Sequence, residues 1–390
     1  MLQKTPSVWA VVVPGAAAMA LAMGVGRFGF TPILPLMQDQ AGLAPAQGAQ
    51  LATANYLGYL LGAVLALVRP AVTSSAPAFR AGLVVQVASL AAMAATTSVP
   101  AWAVARVCSG VASAVVFIAV AGVVAAQLSH GGARSGGWVY GGIGGGIALS
   151  GVLVLALESA GTWSTAWWAC AGAAAVLGAV AWVLPVGRAP APAPAAAPGT
   201  GSGAPVRSSP GARRSFAALV VSYFLEGAGY IIAGTFLVAA IRANAPGWIG
   251  SGAWVVVGLA ALPSSALYAR LASSFPPATV LRTALLVQAA GMLLPAVFSG
   301  SGVVLLAGVV FGGTFLGIVS LGMGTGARMG VPRSAAILTI AFGIGQILGP
   351  LAAAPLLGGG YAPALVLGAV IVTVAAVPTL LIRPGRPATG

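Results

Sequence analysis

The run GRAPAPAPAAAPGTGSGAPVRSSPGARR, residues 187–214, is made of Pro, Ala, Gly and Ser with a few arginines and has no apolar periodicity. Such a segment has too little apolar surface to fold, so it reads as a flexible linker. On both sides the sequence changes character. Upstream, apolar runs cover about 8–37, 48–68, 79–97, 100–128, 136–158 and 163–186; downstream, the pattern repeats at about 214–241, 248–269, 279–298, 302–327, 334–357 and 361–382. A bilayer core of about 30 Å needs roughly 20 apolar residues in a helix, and each run supplies them. The expected fold is therefore an all-α membrane protein with 12 transmembrane helices in two six-helix bundles. The N-terminal bundle spans 1–186, the cytoplasmic linker 187–213 and the C-terminal bundle 214–390.

Composition narrows the function. Of 390 residues 59% are hydrophobic and 5% charged, against roughly 25% charged in soluble domains. Asp39, Glu158, Glu226 and His130 are the only acids and histidine. A metal cluster, a carboxylate pair or a Ser/His set cannot be assembled from them, so no enzyme, metal site or cofactor is expected. No GxxxxGK[ST] loop is present to cradle phosphates, which disfavours an ATP-driven pump. Cys108 and Cys170 lie in apolar runs without CxxC spacing and read as packing residues. The formal charge of +14 would suggest nucleic acid in a soluble protein, but here the basic residues sit in short loops. They face lipid headgroups, so the bilayer and not nucleic acid is the expected partner.

Numbering the loops alternately puts Lys4, Arg69, Arg80, Arg134, Arg188, Arg270, Arg282, Arg328 and Arg333 on one side, and Arg242 with Asp39 and Glu158 on the other. The positive-inside rule then makes both termini cytoplasmic in a multi-pass protein of a bacterial inner membrane. Trp102, Trp163 and Trp248 fall at the opposite helix ends, as headgroup anchors do. The first apolar run continues past a normal cleavage point into a polar, patterned stretch, so it is expected to be retained as a span and not removed as a signal peptide. The halves also echo each other: GVGRFGFTPILPLM (24–37) lies over GAGYIIAGTFLVAA (227–240), and GIGGGIAL (142–149) over GIGQILGP (343–350). Duplicated transporters show this trace, with the site between the halves.

Three charges fall within the hydrocarbon zone: Arg27, Arg106 and Glu226. Each costs about 2.5–3.5 kcal/mol on insertion scales, which points to a partner or an aqueous cavity. Together with Asn55, Tyr59, Tyr230 and Gln346 they form the expected substrate and coupling site, with Tyr56, Tyr140 and Thr235 as further polar candidates. Glu226 is the carboxylate nearest a helix midpoint, so it is the expected proton carrier, with Arg27 as its neighbour. Two arginines against one glutamate leave a positive excess, and guanidinium binds carboxylates bidentately. The expected solute is a small organic anion or zwitterion; the alternatives are a drug-like amphiphile exporter or a sensor or scaffold that transports nothing. A monomer is expected.

The stretches GRFGFTPILPLM (26–37), NYLGYLLG (55–62), EGAGYIIAGTFL (226–237) and GQILGP (345–350) resemble the major facilitator superfamily, specifically its YbfB/YjiJ-type branch. The resemblance covers both halves and implies a secondary active transporter working by alternating access. RVCSG (106–110) resembles the superfamily's Arg-x3-Gly pattern in helix 4, which implies a coupling or substrate role for Arg106. Two departures stand out. VRPAVTSSAPAFR (68–80) lacks the acid that the usual cytoplasmic gate salt bridge needs, and the fifth span lacks the proline of the usual Gly-Pro pattern.

Overall fold

The computed structural model describes residues 8–127, 133–157, 161–187, 210–244, 248–298, 300–329, 331 and 333–382. Glu158, His130 and residues 188–209 of the expected linker lie outside this set. The helix after the linker begins at Pro210, so its first residues belong to the stretch 187–213.

Among the described residues twelve helices are long and apolar enough to cross a membrane. They are α1 (Trp9–Ala41), α2 (Pro45–Val68), α3 (Ala76–Ala95), α4 (Val99–Ala126), α5 (Gly136–Leu157), α6 (Trp163–Ala181), α7 (Gly211–Ala243), α8 (Ile249–Ser274), α9 (Pro277–Val297), α10 (Ser301–Arg328), α11 (Ser334–Gly359) and α12 (Ala362–Leu381). No strand forms among them. Large apolar side chains such as Val104, Val176, Leu259 and Val370 stand exposed on the outer faces, which in a bilayer is the lipid-facing surface.

Packing repeats with a period of six helices. In the first half α1 packs on α5 and α6, α2 on α4, and α3 on α4 and α6; in the second α7 packs on α11 and α12, α8 on α10, and α9 on α10 and α12. The halves meet along α5 with α8, α2 with α11, and α1 with α7. Glycine makes the closest of these approaches possible. On α5, a Cβ at Gly142 would lie 2.2 Å from the carbonyl of Ala16 in α1, while one at Gly144 would lie 2.6 Å from that of Gly258 in α8. One glycine-rich helix thus holds α1 with one face and the other half with another.

The first helix is interrupted. Gly26 N–H and Phe28 N–H reach back five residues, to Leu21 and Met23, and Thr31 N–H reaches back only three, to Phe28. Pro32 donates nothing. The segment Ala20–Val25 is a π turn, a distortion common at functional sites. The part beyond the break, Phe30–Ala41, packs against α7, while the part before it, Trp9–Met19, packs mainly within its own bundle on α5, α6 and α4. The part of α1 beyond the break thus joins the second half, while the part before it stays with the first.

One expected membrane anchor is elsewhere. Trp102 is buried, its indole donates to the carbonyl of Met93 at 3.0 Å, and its ring meets Trp163 edge-on. A satisfied indole inside a bundle packs and does not float at the headgroups. Trp248 is exposed, as an anchor would be.

Gly142→Leu should lower the thermal unfolding temperature in detergent, at a cost of about 1–3 kcal/mol or more for overpacking. Gly172→Leu, where an added Cβ meets nothing within 4 Å, should leave it unchanged. Equal unfolding temperatures would refute the close α1–α5 contact.

Candidate functional site

All seven expected site residues are buried: Arg27, Asn55, Tyr59, Arg106, Glu226, Tyr230 and Gln346. They do not form one cluster. Four meet between the halves, two belong to a network inside the first half, and Glu226 stands inside the second.

The group between the halves is built on the break in α1. Arg27 Nη2 donates to Gln346 Oε1 of α11 at 2.6 Å, and the Gln346 amide nitrogen donates to the Tyr230 hydroxyl of α7. The guanidinium carbon lies 4.3 Å from the Tyr59 ring centroid, 4.9 Å from that of Tyr56 and 5.7 Å from that of Phe28, distances at which π faces attract a cation. Tyr56 and Thr235 hydroxyls, on α2 and α7, pair at 3.1 Å across the same boundary. Tyr230 is stacked between Phe315 of α10 and Phe342 of α11, and Phe315 in turn on Phe311. No carboxylate pairs with Arg27 among the described residues, and its Nε is buried without an acceptor. A cation is therefore held between the halves by a neutral amide and aromatic faces, with its buried Nε donor unused.

Arg106 is arranged differently. Its three nitrogens donate to the carbonyls of Leu51, Gly26 and Arg27 at 3.3–3.4 Å, and its guanidinium lies over Phe30 at 4.7 Å. Thr31 N–H bonds to Phe28, which leaves the Arg27 carbonyl for Arg106. Asn55 donates to the Arg106 carbonyl at 3.0 Å and to Ser109 Oγ at 3.3 Å; Gln86 of α3 also donates to Ser109, at 2.9 Å. Arg106 and Asn55 thus serve the backbone where α1, α2 and α4 meet. An Arg in a helix 4 sequence cannot reveal this, because two of the three carbonyls it reaches, those of Gly26 and Arg27, lie at the break in another helix.

Glu226 makes no ion pair with either arginine. Its partner is Gln288 of α9, buried beside it: with the amide nitrogen turned toward the carboxylate, the distances are 2.9 Å to Oε1 and 3.0 Å to Oε2. The expected neighbourhood of Arg27 and Glu226 is therefore not what the structure shows, because their helices present them to different partners. Sequence reading missed Gln288. A signal was available in the repeat LVVQVAS (83–89) and LLVQAAG (285–291), which puts Gln86 and Gln288 at matching positions.

At the Asp39 end, Arg242 Nη2 lies 3.7 Å from Asp39 Oδ2, and the Tyr361 hydroxyl donates to Gln38 Oε1 at 2.6 Å. Burial, the main cause, pushes the Tyr361 pKa above the usual phenol value, so the hydroxyl remains a donor at neutral pH. Both contacts join α1 to the second half.

Two six-helix halves with an arginine held between them are the framework of a transporter, and sequence comparison agrees. The family described as "Uncharacterised MFS-type transporter YbfB" matches residues 19–380. The protein belongs to this family of major facilitator superfamily transporters. Among solved structures, a point mutant of the nucleoside transporter NupG is similar with a TM-score of 0.73 at 13% identity, covering 95% of this chain and 99% of that one. A second structure of NupG has a TM-score of 0.68 at 13% identity, covering 96% and 98%. At this identity the likeness shows the fold. No curated protein sequence matches this one.

The different surroundings of the two arginines in this transporter give a prediction. Arg106→Gln should strongly lower its unfolding temperature in detergent, since it removes three buried hydrogen bonds and the cation over Phe30, and the Arg27 carbonyl left unpaired costs about 1–3 kcal/mol by itself. Arg27→Gln should lower it much less, because its guanidinium already lacks an acceptor at Nε. The reverse order would refute the assignment of Arg106 to backbone support.

Proposed function

We propose that this protein is a secondary transporter that carries a small organic anion or zwitterion across a bacterial inner membrane by alternating access, with both termini cytoplasmic. Arg27 is the solute anchor and Glu226 the proton carrier. The observation that carries the solute class is the buried guanidinium between the halves with a free Nε and no carboxylate partner among the described residues. A solute carboxylate offers the bidentate acceptor that Gln346 cannot. Arg27 meets residues from α1, α2 and α11, and through Gln346 it reaches α7, so a bound anion touches both halves at once. That is the requirement for a ligand to bias their relative movement. The ring ladder of Phe311, Phe315, Tyr230 and Phe342 supports a second reading, in which the cargo is an amphiphile with a flat apolar body.

The decisive experiment is uptake by proteoliposomes from a panel of carboxylates, amino acids, neutral sugars and cationic dyes. Arg27→Gln should reduce carboxylate uptake about tenfold or more, the loss expected from one charge-assisted hydrogen bond of about 1.5–3 kcal/mol. Selective uptake of a permanent cation, unchanged by Arg27→Gln, would end the anion reading and favour the amphiphile.

For proton coupling the measurement is paired. Glu226→Gln keeps the shape and fixes the neutral state, so accumulation driven by a pH gradient should vanish while counterflow without a gradient persists. Full accumulation by the variant would remove Glu226 from the mechanism. A reporter fused at residue 200 that proved active on the periplasmic side would overturn the orientation.

A further inference from the structure

We propose that Glu226 and Gln288 together form a proton site inside the C-terminal bundle, separate from the arginine site between the halves. In it the Gln288 amide gives its nitrogen to the ionised carboxylate and turns over to accept from the protonated acid. The proposal rests on the reading of Glu226 as the proton carrier and says how the protein holds both of its states.

Three observations carry it. First, an ionised carboxylate at this depth is costly without strong compensation, yet no arginine pairs with it among the described residues and the amide touches both of its oxygens. Second, a primary amide is a neutral group that serves either state, since it has a two-proton donor at one end, enough for both oxygens of the anion, and an acceptor at the other. An arginine serves only the anion, and a fixed carbonyl only the acid. Third, the repeat isolates what is special about the second half. Gln86, at the matching position of the first half, donates to the hydroxyl of Ser109 on α4, a group that does not change charge. The same glutamine position therefore faces a hydroxyl in one bundle and a carboxylate in the other.

The surroundings add no competing charge. On α7 itself the other titratable groups near this level are Tyr223 and Tyr230; Tyr223 donates to the carbonyl of Val319, and Tyr230 is engaged by Gln346. The spans α11 and α12 contain no titratable residue. The α8 span has Tyr268 and Arg270, and α10 has Arg328. On α9 the charge is Arg282, six residues before Gln288 and thus about 9 Å along the helix. From the first half Arg27, Asp39, Tyr56 and Tyr59 lie on helices at the boundary, where Arg27 is joined to Gln346, Asp39 to Arg242 and Tyr56 to Thr235.

The chemistry balances simply. A hydronium ion gives a proton to one carboxylate oxygen, its own O–H bond breaking as the new one forms and neutral water leaving, and the Gln288 amide rotates so that its oxygen accepts that O–H. Release reverses each step. Helix α7 connects this event to the boundary, because Tyr230 lies one turn beyond Glu226 and its hydroxyl holds Gln346, which holds Arg27. The two sites then share a helix and not a salt bridge.

Infrared difference spectra between acid and alkaline pH test this without a solute, on the full-length protein in phosphatidylcholine liposomes. The expected result is a protonated-carboxyl C=O band that grows toward acid and is missing in Glu226→Gln. A glutamine amide C=O band, identified by its shift on carbon-13 labelling of the glutamine carboxamide, should change in the same transition and also be lost in Glu226→Gln. In Gln288→Leu the carboxyl band should move to higher wavenumber as its partner disappears. If no carboxyl band depends on Glu226, the proton-carrier reading itself fails. If that band is present but no glutamine band accompanies it, Glu226 stands and the Gln288 inference fails. The labelled wild-type spectrum decides this even if Gln288→Leu does not fold.

Discussion

Satisfying the backbone at the break in α1 is the constraint on which the site depends. In a bilayer core no water pairs with carbonyls left free by a π turn and a proline. Donors come from α4: Arg106 reaches Gly26 and Arg27, Ser109 also donates to Gly26, and Arg106 braces the site further against Leu51 of α2. With these carbonyls held, the backbone turns so that the Arg27 guanidinium points at Gln346 in the other half. The two buried arginines therefore do different work: one stabilises the interruption, and the other uses it.

The duplicated architecture explains where the group between the halves lies. In the alignment of 24–37 with 227–240, Arg27 matches Tyr230 and Thr31 matches Gly234. The structure brings both pairs together: Arg27 and Tyr230 share Gln346, and the Thr31 hydroxyl donates to the Gly234 carbonyl. Residues close to an axis relating two copies contact their own counterparts. Sequence divergence at these positions then creates a polar, asymmetric centre from a symmetric frame. The cation came to one copy, the phenol to the other, and the amide that bridges them to α11.

Much of the fold was legible in the sequence, and for a plain physical reason. Twelve apolar runs must be helices, because a lipid-exposed backbone has no other way to pair its polar groups. The packing period of six puts the division of the halves between α6 and α7, the two spans that the run 187–214 separates in the sequence. Helix ends shifted by a few residues, most at α6, expected to reach 186 and ending at Ala181, and at α8, expected to end at 269 and continuing to Ser274. The seven site candidates are buried groups on an apolar background, whereas Tyr140 is only partly buried.

What the sequence by itself determined is the membrane class, the helix count and part of the set of buried polar residues, the three intramembrane charges among them, because hydropathy and charge are local properties. Which of those residues meet was decided only by tertiary structure. Arg106 and Asn55 turn into their own half because α4 and α2 touch through Gly58 and Gly110, where an added Cβ would strike backbone. Glu226 and Tyr230, four residues apart on α7, differ by only about 40° around the helix and about 6 Å along it, so their partners are decided by what packs at each level, Gln288 of α9 beside Glu226 and Gln346 of α11 beside Tyr230. Partner choice follows from how each helix is set against its neighbours, which packing decides and hydropathy does not encode.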